Sequence, residues 1–517
     1  MLPEIVHLPN GENLTVKPVF GGISFKINEL SVHGATLPPG WTVMIRTVEY
    51  DDEEDLPGTP KGEAINGEPS DASSSYRTRP FTRPTLQNDD LFLSSISSPS
   101  SQDFKPPVSP TRQIAMMLWA TLYWYFHQPE PPLHITNEAS KHTPDAGKPR
   151  GDWRINIKKE GVFRGRHLLQ KLERMGLIYS EDSSVGASLK EGLDGWTDMF
   201  VSRRAFWMLS ARLFLFTLTP VSTGSPHPSR PSSPVRTGDS QMHQVKSIND
   251  ATDRPSKSVL SIGLWSGPST PGPFASGSHL PTYYPPAPAQ YIMSNGVRHP
   301  LRPKPPRQGE VFYSRYIPSL KQYLSFRAVS LSDKPIAYNG PVPLDPTPTT
   351  LSDVQLLHKW MNVPRVAKFW GCSGPISTQE AFLKTNLESR NSFPAIGYWD
   401  GKPFGYFEIY WVKEDILGKH LGKGEVGDWD RGIHVLIGEE EYRGKHRIGP
   451  WISSLVHWLL LSDYRTDAVV LEPRIDNTRF VEHLQNSGFA REKEVTLPHK
   501  QSAFMRLRRE NFDGPVL

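Results

Sequence analysis

The part of the chain that decides the fold is RGIHVLIG at residues 431–438, followed by YRGKHRIGP at residues 442–450. Apolar residues fill the first segment as in a buried strand, and the second combines glycines with basic side chains. A strand that leads through such a loop into a helix can bind a pyrophosphate with the amides at the helix N-terminus. We place the helix start at Pro450, because proline loses no hydrogen bond in the first helical turn. The stretch therefore predicts an anion site.

The residues around this stretch predict an α/β domain of the α+β kind over residues 310–512. Ser352 and Ser377 each begin a capping box, which predicts the start of a helix. Asp400-Gly401 predicts a tight hairpin turn between two strands. The remaining elements are expected in this order: strands over 395–399, 403–412 and 431–437, a helix from 450, a strand over 467–471, a helix over 478–487 and a strand over 503–507.

The first half of the chain, residues 1–217, is predicted to form a separate α+β unit. Alternating strands are expected within 13–48, a helix over 111–127, a strand–helix–strand unit over 151–180 and a helix over 203–217. Residues 51–110 are acidic and then rich in Ser and Pro, which predicts a solvated insertion. Residues 218–309 are rich in Pro, Ser and Gly and are predicted to be a linker, because they cannot bury enough apolar surface to offset chain entropy.

Composition narrows the function classes. The 517 residues carry a net charge of only +4, with 58 Lys and Arg against 54 Asp and Glu. So small an excess of basic residues does not indicate a protein that binds nucleic acid or a membrane surface. A single cysteine, Cys372, excludes an internal disulfide and a cysteine-based zinc site. No secretory signal is visible, no apolar run approaches the length of a membrane span, and no peroxisomal address ends the chain, so the cytoplasm is expected.

The strand and loop at residues 431–450 resemble the coenzyme A loop of the GNAT superfamily of N-acetyltransferases. The loop departs from the usual glycine pattern, because Arg447 stands at the first glycine position when Gly449 is aligned. A second segment, Asn477 to Phe489, resembles the helix on the coenzyme A side of the same fold. The resemblance implies acetyl-CoA as co-substrate and the following contacts to it: Leu436, Ile437, Arg443, Gly444, Lys445, His446, Arg447, Gly449 and Asn477.

A narrower resemblance is to the siderophore acyltransferases, a group that includes bacterial hydroxylysine acetyltransferases of aerobactin synthesis and mycobactin acyltransferases. It is carried by four segments: HKWMN at 358–362 with the residues up to 370, PFGYFEIYW at 403–411, GIH at 432–434 and EPRIDN at 472–477. The fungal members acylate N5-hydroxyornithine and carry a long N-terminal half, which the blocks at 111–127 and 153–206 resemble. This implies acetylation of N5-hydroxyornithine on the ferricrocin route, with a siderophore peptide synthetase downstream.

The catalytic candidates are one histidine and two carboxylates. His434 is the expected general base, since imidazole titrates near neutral pH and this fold places its base on the strand before the loop. Glu408 is expected to polarise His434 or to bind the acceptor's α-ammonium group, and Asp476 is the competing acid. Aromatic residues are expected to bind the substrate or line its channel: Tyr406, Tyr410, Trp411 and Trp370. The histidines are dispersed, so no metal is expected.

Other functions remain open at this point. A longer, anhydromevalonyl-type CoA could be the donor, as in the transacylases of the fusarinine route, or the chain could be a general amine or protein N-acetyltransferase. A non-enzymatic alternative is a nucleic-acid-binding, winged-helix-like unit over 151–180, with basic side chains along its helix: Arg164, Arg166, Lys171 and Arg174. A homo-oligomer is also possible.

Overall fold

The computed structural model describes residues 3–28, 37–50, 76–96, 110–165, 167–180, 199–211, 290–294, 296–341 and 350–517. The C-terminal half contains a sheet whose strands follow the order β12-β13-β14-β15-β16-β17-β19-β18. The strands are β12 Val311–Ile317, β13 Gln322–Ala328, β14 Ser392–Trp399, β15 Lys402–Trp411, β16 Arg431–Ile437, β17 Ala468–Leu471, β18 Ala490–Leu497 and β19 Lys500–Arg508.

Six α-helices belong to the described part of this half. They are α4 Asp353–Met361, α5 Pro364–Trp370, α6 Ile376–Glu388, α7 Ile416–His420, α8 Lys445–Ser462 and α9 Thr478–Asn486. The capping box at Ser352 is formed, because its hydroxyl accepts from the Gln355 amide and the Gln355 side chain reaches back to the Ser352 amide. The turn between β14 and β15 is also as predicted: Asp400 and Gly401 both have positive φ, 48° and 78°.

The strands β16 and β17 separate soon after they meet. They run parallel, and their register contains two pairs, Arg431 with Val469 and Gly432 with Val470. The strand β16 continues to Ile437, so its last five residues pair with β15 and have no described strand on the other side. The gap between β16 and β17 leaves this side of β16 without a strand partner, and the carbonyl of its last residue, Ile437, accepts from Arg365 at 2.7 Å.

The N-terminal half repeats the topology of the C-terminal half. Its sheet follows the order β1-β2-β3-β4-β6-β7-β9-β8, with β5 on the side of β4. Its β6 and β7 form a parallel pair at the same place in the order as β16 and β17, again with two register pairs. The strands are β1 Glu4–His7, β2 Asn13–Val19, β3 Gly22–Ile27, β4 Gly40–Tyr50, β5 Tyr76–Pro80, β6 Asp89–Ile96, β7 Arg154–Ile157, β8 Tyr179–Ser180 and β9 Met199–Ser202.

Helices occupy matching places too: α1 Pro110–Tyr125 follows β6 as α8 follows β16, and α2 Leu168–Arg174 follows β7 as α9 follows β17. A short helix, α3 Arg203–Trp207, ends the described part of this half. When the parallel pairs of the two sheets are superposed in register, Leu93 takes the position of His434 and Val43 that of Glu408. The N-terminal half therefore repeats the fold without repeating these polar residues.

Several sequence predictions need correction. The predicted insertion at 51–110 contains β5 and β6, and β6 is internal to the sheet. The serines of this segment predicted a solvated insertion, but Leu91 and Leu93 of β6 are buried. The predicted linker at 218–309 contains a hairpin, β10 Tyr291–Ser294 with β11 Val297–Pro300. Of the predicted helix over 203–217, residues 203–207 are helical, and residues 212–217 lie outside the described residues.

Two helix predictions also differ. The box at Ser377 does not form, because α6 already begins at Ile376 after Pro375. The predicted basic helix of the winged-helix alternative is divided into a 3-10 turn, Gly161–Arg164, and α2, while Arg166 lies outside the described residues. Its first strand is β7, which is part of the N-terminal sheet between β6 and β9. Residues 151–180 are therefore no independent unit.

The two halves contact each other directly. The Nε2 atom of His457 lies 2.5 Å from the backbone carbonyl oxygen of Trp207. The hydroxyl of Ser314 donates to the Pro9 carbonyl at 2.6 Å, and the ring of His7 stacks on Tyr316 with centroids 4.0 Å apart. Within the described ranges, no helix is both long and apolar enough to cross a membrane.

Candidate active site

His434 bridges the gap where β16 and β17 separate. It stands opposite Glu408 in the register of β15 and β16, and its Nδ1 atom lies 2.9 Å from Glu408 Oε2. Its Nε2 atom lies 2.5 Å from Oε1 of Glu472, the first residue after β17. The sheet thus holds the ring from both sides. We call His434, Glu408 and Glu472 the imidazole–carboxylate cluster.

Each carboxylate of the cluster has further donors. Glu472 is buried, its side chain only 2% exposed, and accepts a hydrogen bond of 2.7 Å from the Tyr410 hydroxyl. The ammonium group of Lys500 lies 3.6 Å from Glu472 Oε1. Glu408 accepts hydrogen bonds from the Asn386 side-chain amide at 2.7 Å and from the Tyr406 hydroxyl at 3.0 Å. Its side chain is 15% exposed, so Glu408 is the more open of the two carboxylates.

A glycine on β16 makes room for this arrangement. Tyr410 stands opposite Gly432 and lies against His434, with ring centroids 4.6 Å apart. A Cβ atom at position 432 would lie 2.0 Å from the Tyr410 ring. The sequence Gly-Ile-His therefore lets one tyrosine cover the glycine, contact the histidine and reach Glu472.

The charges of the cluster favour the imidazolium form of His434. Burial lowers the pKa of His434, but the charge of Glu472 and the hydrogen bonds that the ring donates to both carboxylates outweigh burial and raise the pKa well above its usual value. Burial raises the pKa of Glu472, yet His434, Lys500 and Tyr410 together lower it to about 2. At neutral pH the ring is thus a cation beside the anionic carboxylate of Glu472.

This balance gives a pH prediction. A group with a raised folded-state pKa stabilises the fold fully below its unfolded-state pKa and loses that contribution as the pH rises through the folded-state value. We expect NMR titration to find His434 still doubly protonated at neutral pH, and Glu472→Gln to lower its pKa because the largest attractive charge is gone. The His434→Gln variant identifies the signal. An unshifted pKa in Glu472→Gln would contradict the assigned contact.

The other predicted catalytic and substrate residues separate into two groups. Tyr406 lies at the cluster through Glu408, and the ring of Trp370 meets Tyr406 edge-on at 5.8 Å. Trp411 lies away from the cluster on the other face of β15, between the guanidinium groups of Arg302 and Arg431 at 4.6 and 4.0 Å. The sequence predicts that Trp411 lines the substrate channel. Side chains alternate between the two faces of a strand, so Trp411 points to the face of β15 opposite that of Glu408 and Tyr410.

Asp476 does not reach His434. It is exposed and forms a two-pronged ion pair with Arg474, at 2.6 and 3.0 Å. The second acid of the cluster is Glu472, which sequence reasoning did not select. A signal for it was present, since a carboxylate directly following the wholly apolar strand Ala468–Leu471 must be buried beside a partner or neutralised.

The predicted coenzyme A loop is shorter than expected, because α8 begins at Lys445 and not at Pro450. Proline is tolerated inside this helix, where it removes a single hydrogen bond near the N-terminal end. Gly444 caps the helix with φ 152°, a value that L side chains rarely adopt, and Gly449 lies within the helix. The first turn of α8 therefore consists of residues 445–448, and within it the Arg447 amide donates to the Gly444 carbonyl at 3.0 Å.

The basic side chains of the loop differ in their surroundings. Lys445 and His446 are exposed, and Arg443, also exposed, pairs with Glu440 at 2.9 Å. Arg447 turns inward, donates to Gln322 at 2.8 Å and lies over the rings of two aromatic residues, Trp399 and Tyr442. The sequence predicts that Arg447 faces a phosphate, and in the structure its guanidinium group contacts Gln322, Trp399 and Tyr442.

The expected pantetheine contacts lie along the free part of β16. Leu436 is buried and Ile437 half-buried, and the carbonyls of Ile437 and Gly438 accept from Arg365 at 2.7 and 2.5 Å. Asn477 stands at the N-cap of α9, but its side chain makes no capping hydrogen bond. Among the described residues, no three His, Cys, Asp or Glu side chains are grouped to hold a metal ion.

The chain is similar to known acyltransferases. Residues 349–497 match the model of an acetyltransferase (GNAT) domain. The chain is 50% identical to the N5-hydroxyornithine acetylase sidL of Beauveria bassiana, over 97% of this chain and 100% of that protein. It is 40% identical to the N(6)-hydroxylysine O-acetyltransferase of Escherichia coli, over 42% of this chain and 61% of that protein.

A further relative differs in its acyl donor. The N(5)-hydroxyornithine:cis-anhydromevalonyl coenzyme A-N(5)-transacylase of Beauveria bassiana is 35% identical, over 49% of this chain and 57% of that protein. The similarity to the hydroxyornithine acetylase therefore includes both halves of the chain, whereas the other two matches cover less than half of it.

Proposed function

The chain belongs to the N5-hydroxyornithine acetylase family of GNAT acyltransferases, and from this we propose that it transfers acetyl from acetyl-CoA to the N5-hydroxyamino group of N5-hydroxyornithine. The product is the hydroxamate of a siderophore building block. The chain is an acyl-CoA-dependent N-acyltransferase. The observation that carries the proposal is the imidazole–carboxylate cluster, because it stands in the gap between β16 and β17, on the strand that leads into α8.

The reaction needs a place for one proton. The uncharged nitrogen attacks the thioester carbonyl carbon, a C–N bond forms, the C–S bond breaks, and the nitrogen loses a proton that finally reaches the coenzyme A sulfur. Two carboxylates and one imidazolium give the cluster a net charge of −2 + 1 = −1, so it can accept that proton. His434 in its imidazolium form cannot accept it alone, so the general base is the cluster as a unit.

We assign the receiving position to Glu408. Glu472 is a poor base, since its pKa is lowered to about 2 and it is buried under Tyr410. Glu408 is more exposed and lies on the side where Tyr406 and Trp370 form a wall. His434 then holds Glu408 in place and shares the incoming proton through Nδ1. Tyr406 and Trp370 are the proposed substrate contacts, and Glu408 is also placed to meet the acceptor's ammonium group.

The coenzyme A side of the proposal rests on the start of α8. The N-terminus of α8 and the exposed Lys445 and Arg443 supply positive charge for the pyrophosphate, and the exposed His446 is a further proposed contact. The free part of β16, through Leu436 and Ile437, and the side chain of Asn477 are the proposed contacts for the rest of the cofactor.

Replacing Arg443 and Lys445 together with alanine is expected to weaken coenzyme A binding and to make it less dependent on salt, because exposed charges on phosphates are screened. Calorimetry at two ionic strengths measures both effects. Arg447→Ala is the matched comparison: its loss is expected to lower thermal stability, because it packs on Trp399 and Tyr442. Unchanged affinity in the double variant would place the pyrophosphate elsewhere.

The decisive test of function is a mass-spectrometric acylation assay with acceptors and donors varied separately. N5-hydroxyornithine, ornithine and hydroxylysine are offered with acetyl-CoA and with anhydromevalonyl-CoA. We expect acetylated N5-hydroxyornithine as the main product. A preference for the longer donor would make the enzyme a transacylase, and transfer to ornithine or to unrelated amines would make it a general N-acetyltransferase.

The cellular setting is part of the same proposal. We place the reaction in the cytoplasm, with the hydroxamate passing to a siderophore peptide synthetase of the ferricrocin type. Acetyl is favoured over the longer donor because the acetylase matches this chain over its whole length and at higher identity than the transacylase. Light scattering of the purified chain would establish whether it forms a homo-oligomer.

A further inference from the structure

A cavity of about 100 Å³ lies between the two halves of the chain. Its walls are mostly aromatic and come from α1 and α3 on one side and from β12 and α8 on the other. The aromatic residues that line it are Trp119, Tyr123, Phe206, Trp207, Phe312, Tyr313 and Trp458. We call it the interdomain cavity. None of the three residues of the imidazole–carboxylate cluster lines it.

One charged side chain, Arg315, lines this cavity. It stands on β12, is 1% exposed, and its Nη2 atom donates to the backbone carbonyl of Val516. Its Nε and Nη1 atoms are buried and have no hydrogen-bond partner. These two N–H groups lie on different sides of the guanidinium group, and both are unused in a place that water reaches poorly.

The neighbouring polar groups do not supply a partner. The Tyr123 hydroxyl donates to the His7 carbonyl at 3.2 Å. Tyr313 pairs with His457 Nδ1 at 2.9 Å, and the other ring nitrogen of His457 meets the Trp207 carbonyl at 2.5 Å. Among the described residues, no carboxylate forms an ion pair with Arg315, and the pKa of its guanidinium is lowered by burial. A buried cation without a counterion costs several kcal/mol.

We propose that the interdomain cavity binds a small apolar carboxylic acid in its anionic form. The carboxylate is the counterion of Arg315 and accepts a hydrogen bond from one of its two unpaired N–H groups. The apolar body of the acid packs between the aromatic walls of the two halves. An inorganic anion fits this site less well, because it would leave most of its oxygens against aromatic rings.

Benzoate is the probe for binding, and 4-bromobenzoate is the probe for position. We expect calorimetry on the full chain to detect benzoate binding, and Arg315→Met to weaken it by at least about tenfold, the effect of losing hydrogen bonds to a charged group. In crystals grown with 4-bromobenzoate, the anomalous signal of bromine is expected between Trp207 and Phe312. Benzyl alcohol, which lacks the carboxylate, and inorganic phosphate, which lacks the apolar body, should bind more weakly.

A second variant keeps the test decisive if Arg315→Met does not fold. Ala211 lines the cavity and is half-buried, so Ala211→Trp would obstruct it while leaving Arg315 in place. It should abolish benzoate binding, and unchanged acyl-transfer activity would show that the variant is folded. The proposal is overturned if the wild-type chain binds no benzoate, if phosphate binds more tightly than benzoate, if benzyl alcohol binds as well, or if both variants bind like the wild type.

Discussion

His434→Ala is expected to lower the turnover of acetyl transfer roughly 100-fold or more, the range for losing a positioned proton-transfer group. Without the ring, Glu408 and Glu472 face each other as two anions with no imidazolium between them. Coenzyme A affinity should change little, because the proposed pyrophosphate contacts lie at the start of α8. Steady-state kinetics and calorimetry on the same preparation separate the two quantities.

His434→Gln is the matched control for size and hydrogen bonding. Its amide can still contact a carboxylate but cannot carry charge or relay a proton, so we expect it to be nearly as slow as His434→Ala and more stable. Kinetics close to those of the wild type in either variant would remove His434 from the mechanism. A large loss of coenzyme A affinity would instead mean that the ring supports the cofactor site.

Glu472→Ala should cost both activity and stability. It leaves a partly buried imidazolium with one carboxylate and takes the acceptor from the Tyr410 hydroxyl. Breaking a buried ion pair from one side costs about 3–5 kcal/mol; because the His434 side chain is 30% exposed, we expect the lower end, about 3 kcal/mol in the free energy of unfolding. Turnover should fall roughly 100-fold, since the ring loses its fixed orientation and charge state. Denaturant unfolding and initial rates measure the two effects.

Two further variants decide whether Glu472 or Asp476 is the carboxylate that supports His434. Glu472→Gln keeps the shape and an acceptor for Tyr410, so it should recover much of the stability but little of the activity. Asp476→Ala removes an exposed ion pair with Arg474 and is expected to change the free energy of unfolding by less than about 1 kcal/mol. If Asp476→Ala were the slower variant, Asp476 would be the supporting acid and our reading of the cluster would be wrong.

Local sequence signals determined much of the C-terminal half. The strand Arg431–Ile437, the capping box at Ser352 and the turn at Asp400-Gly401 were each predictable, because the residues that set them are neighbours in the chain. Alternation places Tyr406, Glu408 and Tyr410 on one face of β15, whereas the register that puts His434 opposite Glu408 comes from the structure. Predictions from composition alone were wrong in one place. The Ser-rich segment that contains β6 was predicted to be a solvated insertion, but β6 is internal to a sheet and its leucines are buried.

The sequence by itself thus determined the family and the acyltransferase chemistry, and it predicted His434, Glu408 and the loop before α8 as parts of the site. The tertiary structure alone decided that Glu472 and not Asp476 completes the cluster, that Trp411 points away from it, and that the N-terminal half repeats the fold without its polar residues. The physical reason is distance along the chain. Glu472 is 38 residues from His434, and they meet because two parallel strands pair over two residues and then separate, leaving a gap that a histidine and a buried carboxylate close.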